Sequence, residues 1–250
     1  MTASAQTPTS TVAARSVGVS KIYGVGGAEV RALDDVDVEF EAGRFTAIMG
    51  PSGSGKSTLL HVSAGLDHVS SGNVYIGDVD LGSLSDRDLT LLRRKKVGFI
   101  FQAFNLIPTL TAEENIILPI SIAGEKPDTA FFDQVVGAVG LGDRLKHLPS
   151  ELSGGQQQRV AAARALVSRP DIVFADEPSG NLDSKSGAEL LSFMRTAVKE
   201  LGQTIVMVTH DPSAAAYSDR TIFLQDGKVI DELHDPSAED ILNKMKILGG

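Results

Sequence analysis

Gly50-Pro51-Ser52-Gly53-Ser54-Gly55-Lys56-Ser57-Thr58 decides how this chain is read. A Gly, four free positions and then Gly-Lys-Ser form the pattern of a phosphate-binding loop. Gly50, Gly53 and Gly55 let the backbone curl so that its N–H groups, with those of Ser52 and Ser54, point inward at phosphate oxygens. Lys56 can reach the β- and γ-phosphates, and the Ser57 hydroxyl can ligate Mg²⁺. The flanks fit as well. Arg44–Met49 reads as a buried strand running into the loop. Ser57–Val62, with Thr58 in its first turn, reads as the helix that leaves it with its positive dipole end toward the anion.

Two further runs, Ile172–Ala175 and Thr204–Thr209, read as buried strands with helical patterns between them. Strands alternating with helices predict an α/β fold with a mostly parallel sheet covered on both faces. Ligands then bind beyond the carboxyl ends of the strands. All three strands run into chemistry: the phosphate loop, Asp176-Glu177 and His210-Asp211.

Around this core the rhythm changes. Val17–Phe40, Gly72–Leu81 and Thr221–Leu233 alternate apolar and polar residues between Gly and Asp turns, which predicts half-exposed antiparallel strands. Residues 85–164, punctuated by Pro108, Pro119 and Pro149, read as an inserted helical subdomain. Residues 1–15 read as a disordered N-terminal tail, since Met1–Ala14 has neither a basic start nor an apolar core. Residues 16–235 form the main domain and 236–250 a C-terminal tail. No internal repeat is visible.

Composition narrows the function. The 250 residues carry a net charge of −9 and no cysteine. The acidic balance argues against a nucleic-acid partner, because backbone phosphate affinity needs clustered Lys and Arg. A disulfide scaffold and a Cys-ligated zinc site are excluded. No apolar run is long enough to span a bilayer.

Asp176 ends an apolar strand and fits the acidic group that holds Mg²⁺ and its waters in phosphate-loop ATPases. Glu177 is placed to polarise the water that attacks the γ-phosphate. Leu152-Ser153-Gly154-Gly155-Gln156 precedes an Arg/Ala-rich helix. Ser153 can cap that helix, and Gly154 and Gly155 admit a phosphate to its free N–H groups. This is a second anion site. Two molecules packed head to tail can bring both sites to one γ-phosphate, which predicts a nucleotide-sandwich dimer.

The chain resembles the ATP-binding cassette (ABC) ATPases, a branch of the phosphate-loop NTPases. Leu152–Gln156 matches their signature sequence. Gln102, after Val97-Gly98-Phe99-Ile100-Phe101, matches the glutamine that senses Mg²⁺ and the membrane partner. Ser179-Gly180-Asn181-Leu182-Asp183 matches the D-loop, which contacts the opposite subunit. His210 matches the switch histidine at the γ-phosphate, and Tyr23 the aromatic residue that stacks on adenine. The resemblance runs from about Val17 to Leu233. It implies catalysis by Glu177, with positioning by His210, Lys56 and Gln102, although the sequence leaves the opposite weighting of Glu177 and His210 open. It implies ATP held by Tyr23, the Gly50–Thr58 loop, the partner's copy of Ser153–Gln156, and Asp183. Ser57, Gln102 and Asp176 would hold Mg²⁺.

Phe101–Asn115 and Ser179–Asp183 are similar to the MacB/LolD-like type, which implies a homodimer that drives a separate permease at the cytoplasmic face of the cell membrane. An ATP-switched regulatory module of the cell-division type shares every motif. A soluble ABC ATPase acting on DNA or the ribosome is opposed by the missing basic face and the short insertion. Two local readings stay open. Arg93-Arg94-Lys95-Lys96 is a solvated helix end or a partner or membrane contact. Phe104, Leu106, Ile107 and Leu110 line a groove for a permease helix or belong to the core.

Overall fold

The computed structural model describes residues 11–24 and 29–248. Within them, β1 (Val12–Tyr23) and β2 (Val30–Glu41) precede β3 (Phe45–Met49) and α1 (Lys56–Ser63). Then come β4 (Ser71–Ile76), β5 (Val79–Asp80), α2 (Asp86–Lys96), β6 (Val97–Ile100), α3 (Ala112–Ile122), α4 (Thr129–Ala138) and α5 (Gly154–Leu166). The chain continues through β7 (Ile172–Asp176), α6 (Ser184–Leu201), β8 (Ile205–Val208), α7 (Pro212–Ala215), β9 (Arg220–Gln225), β10 (Lys228–His234) and α8 (Ala238–Leu248).

The core sheet has the order β10-β9-β3-β8-β7-β6. The β9, β3, β8, β7 and β6 neighbours run parallel, and β10 closes one edge antiparallel. Successive strand residues serve opposite faces, as a pleat requires. Ala47, Met49, Val173, Ala175, Ile205 and Met207 face the helices α3, α4, α5 and α6. Ile48, Ile172, Phe174, Val206 and Val208 face α1 and the second sheet. That second sheet, β2-β1-β4-β5, is antiparallel throughout. Phe40 of β2 meets Phe174 of β7 edge to face, with ring centroids 6.4 Å apart. The expected parallel core and antiparallel β subdomain are both present, and the three expected core strands lie side by side as β3, β8 and β7.

Four expectations about organisation are corrected. β1 begins at Val12, inside the segment read as tail, because Ala14 is fully buried there and pairs with both β2 and β4. Residues 1–10 lie outside the described residues. The C-terminal segment read as tail forms α8, anchored by the fully buried Ile241. The run 85–164 is not one helical insertion, since β6 within it pairs with β7 and α5 packs on β6. β9 is not half exposed: Thr221, Ile222, Phe223 and Leu224 are fully buried, and it pairs in parallel with β3. Its polar Thr221 misled the pattern, and that hydroxyl is satisfied internally by Ser218 at 3.1 Å.

Candidate active site

The phosphate loop leaves β3 at the carboxyl edge of the core sheet, where parallel α/β sheets bind ligands. Its glycines are sterically required. Gly50 has φ +151°, and a Cβ there would sit 2.0 Å from the Leu224 carbonyl oxygen. Gly55, at φ +99°, would bring a Cβ to 2.3 Å from the Ala32 carbonyl oxygen. The loop therefore rests on the β9–β10 turn and on β2. The Gly227 amide, in that turn, donates to the Ser54 carbonyl at 3.1 Å.

Lys56 curls over its own loop. Its ammonium donates to the Gly50 carbonyl at 3.0 Å and to the Pro51 carbonyl at 2.8 Å. Burial lowers the Lys56 pKa, against the opposing pull of the Glu177 and Asp176 charges. The Ser54 hydroxyl is buried without a hydrogen-bond partner, the kind of orphan polar atom that a bound group satisfies.

Asp176, the last residue of β7, accepts a hydrogen bond from the Ser57 hydroxyl at 3.1 Å. Its other carboxylate oxygen lies 3.5 Å from His61 Nε2. A hydroxyl and a carboxylate are hard oxygen donors of the kind Mg²⁺ selects, with its remaining positions left to water and phosphate. Among the described residues no group of three or more His, Cys, Asp or Glu forms a ready-made metal cage. The donor set thus fits a cation that arrives with its nucleotide.

Glu177 follows in a left-handed backbone conformation, φ +46°. This is sparsely populated for a residue with a Cβ and is a form of strain that clusters at functional sites. Its carboxylate meets His210 Nδ1 at 2.9 Å from both oxygens. His210 stands just past β8, with a mostly exposed ring. Three adjacent strand ends thus carry Lys56, Glu177 and His210.

Other predicted residues gather elsewhere. Gln102 does not touch the Ser57–Asp176 pair among the described hydrogen bonds. Its side chain donates to the Asn181 side chain at 3.3 Å, and the Asn181 amide returns a bond to the Gln102 carbonyl at 3.1 Å. Gly180 permits this approach, because a Cβ there would lie 2.9 Å from Gln102 Nε2. Asp183 caps α6, accepting from the Lys185 and Ser186 amides and the Ser186 hydroxyl. These donors, the Ser186 amide foremost, hold its carboxyl below the usual range. Ser153 and Gln156 form a reciprocal capping box on α5, as Thr111 and Glu114 do on α3. Gly155 is required because a Cβ would fall 2.6 Å from the Ser186 hydroxyl, while Gly154 abuts the Phe104 ring. No hydrogen bond among the described residues joins the Ser153 loop to the Lys56 loop. Tyr23 is exposed at the end of β1, and its hydroxyl donates to Asp67 at 2.7 Å.

The structure also places residues of the two open local readings. Arg93 donates to the Gly65 carbonyl at 2.7 Å and Lys96 pairs with Asp171 at 2.8 Å, so half of the basic cluster ties the fold together. The four cations sit in the last turn of α2 and oppose its negative dipole end. Leu106 packs on the core, whereas Ile107 is exposed.

Sequence reasoning missed four residues. His61 lies one helical turn beyond Ser57, and that i,i+4 spacing was the available signal. Asp67 and the fully buried Gln158 had no local signal. Gln158 donates to the Pro178 carbonyl at 2.7 Å and to the Phe101 carbonyl at 3.1 Å, joining α5 to both flanking loops. Arg164, further along α5, donates to the Phe104 and Asn105 carbonyls at 3.0 and 2.7 Å.

A phosphate loop on β3, a carboxylate pair at the end of β7, a histidine after β8 and a serine-capped, glycine-started helix elsewhere define a nucleotide-hydrolysing cassette. The family model described as ABC transporter matches residues 33–180, and the chain belongs to that family. It is 43% identical over 243 residues to the bacitracin export ATP-binding protein BceA of Halalkalibacterium halodurans, covering 94% of this chain and 96% of that one. It is 46% identical over 211 residues to the lipoprotein-releasing system ATP-binding protein LolD of Shewanella oneidensis, covering 84% and 92%. Against the macrolide export ATP-binding/permease protein MacB of Rhodopirellula baltica the identity is 41%, but the chain spans only 32% of that protein. Among solved structures, the fold matches the dimeric post-hydrolysis state of the ATP-binding cassette MJ0796 of Methanocaldococcus jannaschii, bound to ADP and Pi. The TM-score there is 0.80 at 41% identity, covering 90% of this chain and 99% of that one. The chain is an ATPase subunit that binds ATP and uses Mg²⁺. No helix among the described residues is long and apolar enough to cross a membrane.

Proposed function

We propose that two copies of this chain pack head to tail and share each ATP, the Lys56 loop of one facing the Ser153 loop of the other. One observation carries this reading. The two anion-binding loops of a single chain are built on different elements and share no hydrogen bond among the described residues, although both present free N–H groups. The dimeric MJ0796 cassette supports it.

In this reading the loop amides of Gly50–Thr58 and the Lys56 ammonium hold the β- and γ-phosphates, and Tyr23 stacks on the adenine. Ser57 and Asp176 would hold Mg²⁺, with Gln102 as the third candidate once it leaves Asn181. The ion, when bound, neutralises phosphate charge. Glu177 accepts a hydrogen bond from the attacking water and draws off its proton as the bond to the γ-phosphate forms. His210 fixes the Glu177 carboxylate and reaches toward the γ-phosphate. The β–γ oxygen bridge breaks and leaves with ADP. Contacts from Ser153, Gly154, Gly155 and Gln156 of the partner exist only in the closed pair, so ATP favours closure and loss of the γ-phosphate releases it.

The motor then acts on a permease of the MacB/LolD type at the cytoplasmic face of the membrane. The segment from Gln102 to Thr111 is the contact surface. Arg164 grips it from α5, and the fully buried Asn115 grips it from α3. The cargo classes are those of the MacB/LolD-like type, by export or mechanotransmission: peptide, lipid or lipoprotein, drug or haem.

Mixing Ser153→Arg subunits with intact ones tests the shared site. The arginine obstructs closure and costs α5 its Ser153 cap, about 1 kcal/mol, so mixed dimers that remain folded by circular dichroism lose at least one site and total ATPase activity falls. Activity of the intact subunits unchanged at every mixing ratio would reject the shared site. Copurification from membranes with a membrane-spanning partner tests the permease assignment.

A further inference from the structure

Tyr23 is exposed, yet it is held in place. Its hydroxyl donates to one Asp67 oxygen at 2.7 Å. Lys21 donates to the other Asp67 oxygen at 2.7 Å and to the His68 carbonyl at 2.7 Å. The same ammonium lies 4.7 Å from the centroid of the Tyr23 ring, within cation–π range. The backbone is tied alongside: the Ile22 amide donates to the Ser70 hydroxyl at 2.9 Å, and the Ser70 amide to the Ser20 carbonyl at 2.8 Å.

Asp67 follows α1 closely in the chain. The end of β1 is therefore fastened to the segment just past the helix that leaves the phosphate loop. The Lys21 and Asp67 side chains are 11% and 31% exposed, whereas Tyr23 is 41% exposed. Lys21 is sheltered, and Tyr23 keeps exposed surface although the ammonium lies over one face of its ring. A tyrosine free to change rotamer must be ordered when a base binds, which costs a factor of about three to ten in affinity. Here that ordering is done in advance.

We infer that Asp67 is a positioning residue for nucleotide-base recognition: through Tyr23 and Lys21 it holds the aromatic platform at a fixed spacing from the phosphate loop. The inference rests on the proposed stacking of Tyr23 on adenine.

Calorimetric titration of the whole protein with ADP and, separately, with inorganic tripolyphosphate tests it. Tyr23→Ala is expected to weaken ADP about tenfold and to leave tripolyphosphate unchanged. Asp67→Ala is expected to weaken ADP about threefold to tenfold, again without effect on tripolyphosphate. Asp67→Asn, which keeps an acceptor for the tyrosine hydroxyl, restores most of the loss. In a Tyr23→Ala background, Asp67→Ala adds nothing further. An ADP affinity insensitive to Tyr23→Ala overturns the stacking role and the inference with it. A Tyr23 effect with no Asp67 effect, or Asp67 losses that add in full to those of Tyr23→Ala, overturns the inference and leaves stacking intact. Equal loss of tripolyphosphate in Asp67→Ala overturns it too, because Asp67 would then be supporting the phosphate loop itself.

Discussion

His210 Nδ1 stands 2.9 Å from each carboxylate oxygen of Glu177, so the ends of β8 and β7 are joined by side chains as well as by the sheet. The strained backbone of Glu177 aims its carboxylate at the histidine. The Glu177 charge also reaches Lys56, raising its pKa against the larger lowering by burial.

Glu177→Gln removes the proton acceptor and keeps the shape. Turnover is expected to fall at least a hundredfold, while ATP still binds and the protein elutes as a dimer in size-exclusion chromatography with ATP. Near-normal hydrolysis would take Glu177 out of the catalytic role.

His210→Ala frees the Glu177 carboxylate to rotate and removes the ring proposed to reach the γ-phosphate. A loss of about a hundredfold in kcat is expected, with a much smaller change in KM. Steady-state kinetics that show the loss mainly in KM would make His210 a binding residue instead.

Gly155→Ala places a Cβ 2.6 Å from the Ser186 hydroxyl and 2.8 Å from its Cβ. Overpacking of this kind costs about 1–3 kcal/mol, more than the helix-propensity gain of about 1 kcal/mol. Thermal unfolding should show a lower Tm, and Ser186→Gly, which loses its own bond to Asp183, should lower Tm less in the Gly155→Ala chain than in the unaltered one.

Gln158→Leu relieves one orphan oxygen but leaves the carbonyls of Phe101 and Pro178 without this donor. Two lost partners outweigh one relieved atom, so a destabilisation of about 1–3 kcal/mol is expected. Chemical denaturation measures it.

The caps also set an acid limit. Asp183 and Glu114 have pKa values lowered by hydrogen bonds to their carboxylates, led by the Ser186 amide and the Thr111 amide. Their native forms bind fewer protons than the unfolded chain. The stability they lend is therefore complete above the ordinary carboxylate value, about pH 4, and disappears as the pH falls through the lower native values. Tm should decline below that point, and Asp183→Asn together with Glu114→Gln should flatten the decline.

The phosphate loop, the three strands feeding the site and the capped helix at Ser153 were legible because each depends on residues close in sequence. Glycine spacing, apolar runs and capping boxes are local signals. The strand β9 was misread because its burial depends on pairing with β3 and on apolar clusters at both faces, whose members lie far away in the chain. Gln158 and Asp67 were invisible for the same reason, since their partners are 57 and 44 residues distant. Asp183 was read for its place in a motif, while its visible chemistry is that of a helix cap. The opposite happened at α8, where a polar sequence hid the one buried isoleucine that anchors it.

The contact of Gly50 with Leu224, and of Ser54 with Gly227, reaches beyond local geometry. A fragment ending at residue 180, where the family model stops, would retain Lys56, Asp176 and Glu177. It would lack the shelf beneath the loop, since Leu224 and Gly227 belong to the last third of the chain. Such a fragment would keep the phosphate loop and both carboxylates, lose His210, and leave the nucleotide nowhere firm to sit.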